Sequence, residues 1–158
     1  MAVTRLKTAM PSTTSAEVVL DANVIVGWLD AGDSLATRTI ILLESLEQQG
    51  VRPLMLDICV TEALSVLCRR SRERKKEPPD LNQALRLIRE WLGKGEIQFT
   101  HSHQARHFGA ALDTVAATDG ALNFTDALLV VFQREGIIGD VASFDAGLDG
   151  APGFRRIS

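Results

Sequence analysis

The chain predicts an α/β domain built as three layers, a central, mostly parallel sheet of four to five strands covered by helices on both faces. Three observations carry this expectation. Short apolar runs alternate with amphipathic helical stretches along the whole chain, which is the order of a covered parallel sheet. At 158 residues and 46% hydrophobic, the chain fits a single compact domain with a core large enough to fold without staples. Several of the apolar runs end on an acidic residue, and ligands of such sheets bind outside the carboxyl ends of the strands.

The elements follow in order. Residues 1–17 form a polar lead, Ser/Thr-rich from Thr4 to Ser15 and expected to be disordered, with Met10 as an alternative start; the domain is expected over 18–158. Val18 to Leu20 is a continuous apolar strand, and a helix starts near Asn23 and runs to Leu29. Ser34 is placed to cap a helix reaching about Gln49, with Gly50 ending it. Pro53 to Leu56 is the second strand, followed by a helix from Thr61 to about Arg70 that carries Glu62 in its first turns. Pro78-Pro79 stops it, and Asp80 caps the next helix, whose Leu81, Leu85, Ile88 and Leu92 form a stripe suited to the core or a subunit interface. Ile97 to Thr100 is a third strand, and Ser102 to about Ala117 a helix. After the Asp119-Gly120 turn, Thr125 to about Glu135 forms an apolar helix stopped by Gly136. Val141 to Ser143 and Phe154 to Ile157 complete the sheet.

Composition narrows the function. The net charge of −3 argues against nucleic-acid binding through overall charge, although Arg69 to Lys76 gathers six cations and one acid in eight residues. That run reads as a solvated loop or as a phosphate-contacting rim made of Arg69, Arg70, Arg72, Arg74, Lys75 and Lys76. Cys59 and Cys68 have no Cys-x-x-Cys spacing and read as reduced core thiols, which favours a cytosolic protein. No apolar run approaches the roughly 20 residues that span a bilayer, and residues 1–17 lack a signal-peptide core.

Four acids, Asp21, Glu62, Asp126 and Asp145, fall at strand ends or helix starts. Each has an ordinary explanation alone: Asp126 as a helix N-terminal acid, Asp145 as a turn opener, Glu62 as a solvated helix residue. Asp21 is harder to explain so, because it interrupts an apolar run, and a buried carboxylate needs a partner cation or solvent. Together they suit a hard divalent ion, Mg²⁺ or Mn²⁺, which takes carboxylate and water oxygens and shares phosphate oxygens of a substrate. One or two such ions can support in-line displacement at phosphorus by an activated water. Asp57 and Asp140 read as turn or cap acids, and Asp149 as a peripheral contributor. His101, His103 and His107 form a His-x-His-x-x-x-His pattern with a zinc-capable spacing, but no further ligand frame accompanies it, so a solvated helix start is the preferred reading.

Val19-Leu-Asp-Ala-Asn-Val-Ile25, Val60-Thr-Glu-Ala-Leu64, Asn123-Phe-Thr-Asp-Ala-Leu-Leu129 and Ala142-Ser-Phe-Asp145 resemble, in order and spacing, the acidic motifs of the PIN domain, especially VapC-like toxin ribonucleases. The resemblance covers about residues 18–157. It implies a PIN-like sandwich in which Asp21, Glu62, Asp126 and Asp145 bind Mg²⁺ or Mn²⁺ and serve catalysis, with Asn23, Thr125 and Ser143 in support. It further implies hydrolysis of single-stranded RNA to 5′-phosphate and 3′-hydroxyl ends, a homodimer and, for a toxin, an antitoxin that blocks the acidic groove. Ser143 departs from the Thr often found there. The rival readings are a PIN-like RNA- or protein-binding module without catalysis, and a haloacid-dehalogenase-type phosphatase, which needs Asp-x-Asp where this chain has Asp21-Ala-Asn23.

Overall fold

The computed structural model describes residues 16–73 and 77–158. The lead through residue 15, and with it the expectation of disorder, lies outside them, as do Arg74, Lys75 and Lys76. Five parallel strands form one sheet: β1 (Glu17–Leu20), β2 (Arg52–Leu56), β3 (Ile97–Gln98), β4 (Asp140–Ala142) and β5 (Arg156–Ile157). Their spatial order is β3-β2-β1-β4-β5. The chain therefore steps outward from β1 in one direction, then returns to build the other half. The crevice between the carboxyl ends of β1 and β4 is the switch point where ligands of open parallel sheets bind.

Six helices cover the sheet: α1 (Ala22–Leu29), α2 (Ala36–Gln48), α3 (Asp57–Arg72), α4 (Leu81–Gly93), α5 (His101–Ala117) and α6 (Phe124–Arg134). Helix α1 packs against α2, α3 and α4, while α5 packs against α6, giving the two outer layers. The central strands are buried on both faces, which is why they read as unbroken apolar runs: Val19, Leu20, Val141 and Ala142 are at most 1% exposed. Val24 and Ile25 of α1, Cys59, Ala63 and Leu67 of α3, and Leu128, Leu129 and Phe132 of α6 close over them. No helix among the described residues is long and apolar enough to cross a membrane.

Several local expectations are corrected. Ser34 does not cap α2; Asp33 turns the chain there by accepting the Leu35 amide at 2.7 Å, and the cap position is Leu35. Helix α3 starts at Asp57, directly after β2, so Glu62 lies in its second turn. Asp57 is more than a local cap, since its carboxylate accepts both the amide (3.0 Å) and the hydroxyl (2.7 Å) of Thr100 and ties β3 to α3. Strands β3 and β5, at the two sheet edges, are two residues each, shorter than the runs 97–100 and 154–157 expected for them. On α4 Leu81 and Ile88 of the expected stripe pack against the core, together with buried Ala84 and Trp91, whose ring centroid lies 4.9 Å from that of Trp28; Leu92 is exposed instead.

Close approach of α1 and α2 depends on Gly27. A Cβ there would overlap Thr39 Oγ1 and press on Thr39 Cβ at 3.2 Å, and Thr39 is fully buried. Gly27→Ala is expected to cost about 1–3 kcal/mol by overpacking. Urea denaturation should show a lower midpoint with an unchanged slope, and an unchanged midpoint would mean the two helices are less closely packed than described.

Candidate metal centre

Asp21 is the last residue before α1 and is held from several directions. Its amide donates to Ala142 O (2.9 Å), which fixes it at the seam between β1 and β4. Its Oδ1 accepts the Ala22 amide (2.7 Å), capping α1, and its Oδ2 accepts Asn23 Nδ2 (2.8 Å) and Ser143 Oγ (2.6 Å). At 4% exposure this is a buried carboxylate with no cationic partner among the described residues. Burial pushes its pKa up, against the pull of the Ser143 and Ala22 hydrogen bonds.

Asn23 and Ser143 form the frame beneath it. Asn23 Nδ2 also donates to Ser143 Oγ (3.0 Å), and Asn23 Oδ1 accepts the Phe144 amide (3.0 Å). Ser143 Oγ accepts the Asp145 amide (3.0 Å). Two residues on β1–α1 thus lock the turn after β4, across about 120 residues of chain separation. Asp145 is exposed; its Oδ1 accepts the Gly147 amide (2.7 Å), opening the 3-10 turn Ala146–Gly150, and its Oδ2 makes no hydrogen bond among the described residues.

Asp126 begins as a capping residue. Asn123 and Asp126 make a reciprocal capping box at the start of α6: Asp126 N donates to Asn123 Oδ1 (2.9 Å) and Asn123 N to Asp126 Oδ2 (3.1 Å). The helix-start explanation is therefore correct, and incomplete. Asp126 is only 8% exposed, and burial, reinforced by repulsion from Asp21, Glu62 and Asp145, raises its pKa to about 6. Asn123 Nδ2 also reaches Glu62 Oε1 at 3.3 Å, so one amide links two of the acids. Asn123 was missed as a site residue; its signal is the Asn-x-x-Asp spacing at a helix start.

All four acids line one cleft of about 280 Å³, shared with Asn23, Asp33, Asn123, Arg69 and Arg70. Glu62 Oε2 is buried with no hydrogen-bond partner among the described residues. A buried carboxylate oxygen left bare costs free energy that a cation would recover. No three of the described acidic, His or Cys side chains are drawn together into a ready-made cage. Cys59 lies behind the cleft, fully buried, and its thiol is pushed well up by burial and by the acids around it.

The remaining candidates separate. Thr125 sits in the first turn of α6 but does not line the cleft and makes no side-chain hydrogen bond among the described residues. Arg69 lines the cleft, 4.0 Å from Glu73, whereas Arg70 is committed to Asp33 (2.5 Å) and Asp30 (3.4 Å) and braces the α1–α2 loop. Arg72 ends α3, exposed and away from the cleft lining. Asp149 is engaged by Arg156 through two 2.7 Å hydrogen bonds and does not line the cleft, and Asp140 pairs with Arg155 (2.7 Å). His103 and His107 pack edge-on to Phe132, with centroids 6.1 and 6.2 Å away, and His101 is exposed.

No protein-family model matches the chain, and no curated protein matches it in sequence. Solved structures do match its fold. A chain of VapBC2 from Rickettsia felis, solved bound to a DNA fragment from its promoter, aligns with a TM-score of 0.61 at 12% identity over 89% of this chain and 97% of that one. FitAcB from Neisseria gonorrhoeae gives 0.55 at 17% identity over 89% and 96%, and PAE2754 from Pyrobaculum aerophilum 0.53 at 15% over 92% of that chain and 96% of this one. The architecture is the PIN-like three-layer α/β/α sandwich that the motif resemblance implied.

Proposed function

We propose that this chain is a Mg²⁺- or Mn²⁺-dependent ribonuclease that hydrolyses single-stranded RNA, acting in the cytosol as the toxin of a toxin–antitoxin pair. The observation that carries the chemistry is the bare, buried Glu62 Oε2 in a cleft with two buried aspartates of raised pKa. The toxin assignment is supported by the motif resemblance to VapC-like proteins and by the likeness of fold to VapBC2 and FitAcB. A homodimer and a small antitoxin that occupies the acidic cleft belong to the same reading.

Asp21, Glu62, Asp126 and Asp145 would hold the ion. When bound, it would lower the pKa of an attacking water and offset charge building on the phosphate. Asp21 and Asp126 are fixed by helix caps, so they meet the substrate without reorganising. Asn23 and Ser143 keep the Asp21 carboxylate oriented and hold the Asp145 turn against it. Asn123 does the same for Glu62 and Asp126. Arg69, at the cleft edge, is placed to meet a substrate phosphate.

Incubating the protein with a mixed RNA pool, with and without chelator, and mapping the ends tests this. Cleavage in Mg²⁺ or Mn²⁺ leaving 5′-phosphate and 3′-hydroxyl ends is expected, abolished by chelator. Protein inert in both ions would contradict it.

A further inference from the structure

Phe144 stands between two residues of the acidic centre, yet its ring is not part of it. Its amide donates to Asn23 Oδ1, while the ring lines a separate depression of about 240 Å³ with Arg38, Ile41, Leu42, Ser45 and Ser158. The Arg38 guanidinium lies over the ring, 4.4 Å from its centroid. Arg38 is exposed and makes no ion pair or hydrogen bond among the described residues. An arginine over an aromatic ring, with no ion-pair partner among the described residues and open to solvent, offers a planar cation that suits a nucleobase and its phosphate.

Its position relates it to the cleft. Leu35, at the start of α2, lines the acidic cleft, and Arg38 is about one turn further along the same helix. Phe144 is bracketed by Ser143, bonded to Asp21, and Asp145, which lines the cleft. The two depressions are thus neighbours across a wall shared by α2 and the turn after β4.

We propose that Arg38 and Phe144 form a nucleobase subsite, on which a base of single-stranded RNA adjoining the phosphate in the acidic cleft stacks. This rests on the ribonuclease reading for the RNA's presence there, and names the residues that position it. The subsite binds bases through their faces, so it adds affinity with modest sequence preference.

The test uses the full chain and a short single-stranded RNA carrying 2-aminopurine, whose fluorescence falls when it stacks. Binding and quenching are measured in the chelated protein, and cleavage of the same RNA, and of a version with abasic positions, in Mn²⁺. Arg38 is exposed, so Arg38→Ala should fold normally; Arg38→Lys keeps the charge without the plane, and Phe144→Leu keeps apolar bulk without the ring. Wild type is expected to quench the probe, and each variant to weaken binding about fivefold or more with loss of quenching. In cleavage, KM should rise and kcat hold within about twofold, and the preference for intact over abasic RNA should disappear. Quenching without cleavage would support the subsite and overturn the ribonuclease reading. Cleavage with no quenching, or variants that retain the wild-type preference for intact RNA, would overturn the subsite. Protein that neither binds nor cleaves the RNA would overturn both.

Discussion

Asp126→Asn is expected to lower the rate of RNA cleavage about a thousandfold while leaving the fold intact, because a correctly held divalent ion contributes several kcal/mol to the transition state. The substitution is nearly isosteric. Asparagine can keep the capping box by accepting the Asn123 amide through Oδ1, so α6 should retain its start. What it removes is a negative charge in a buried site already crowded by Asp21, Glu62 and Asp145. The variant should therefore be no less stable than wild type without metal, separating a functional loss from a folding loss. Asp21→Asn should lose activity similarly but gain less stability, because its new amide would face Asn23 Nδ2 and Ser143 Oγ, both of which donate to Asp21 Oδ2. Initial rates in Mn²⁺ with urea midpoints in chelator check both. An Asp126→Asn enzyme with more than about a tenth of wild-type activity would remove Asp126 from the chemistry.

The metal-free protein should lose stability as pH rises from about 4 to about 6. Asp126 titrates at about 6 in the folded chain and at its ordinary 3.8 in the unfolded one. Between these values the folded state holds the proton more tightly, so raising pH favours unfolding, and above about 6 the loss is complete. Because the group is partly solvated, the effect is on the order of 1 kcal/mol, less than the whole shift would give. Asp21, whose pKa is raised too, acts in the same direction. Mn²⁺ or Mg²⁺ should reverse the loss at pH 7 and do little at pH 4, where protons occupy the same carboxylates. Urea midpoints from pH 4 to 8, with chelator and with ion, give both curves. Asp126→Asn should flatten the chelated curve, and a wild-type protein whose stability rises over this range would show that the acids are better solvated than the cleft implies.

Much of this was legible in the sequence because the same residues carry local and global signals. The acid after Leu20 interrupts a run that the sheet buries completely, and the acids after β1 and β4 mark the switch point. The helix-start signal at Asp126 was equally real. Other features depended on contacts between distant segments. Helix α3 starts at Asp57, whose carboxylate is tied to Thr100, 43 residues on, and nothing near Asp57 announces that. Asn123 looks like any helix cap until Glu62 is beside it. The stripe on α4 correctly turned Leu81 and Ile88 inward, but Trp91 meeting Trp28 leaves Leu92 in solvent, which the spacing of the leucines does not reveal. Arg70 read as one cation in a basic run, yet its charge is taken up by Asp30 and Asp33.

In the proposed site Asp21 after β1, Glu62 of α3, Asp126 of α6 and Asp145 after β4 would jointly hold one or two catalytic ions. Calorimetric titration of Mn²⁺ into the metal-free protein at pH 7 tests it most directly. Saturable binding is predicted for wild type, weakened at least about tenfold by Asp21→Asn and by Asp126→Asn. Equal Mn²⁺ binding by wild type and both variants would contradict it.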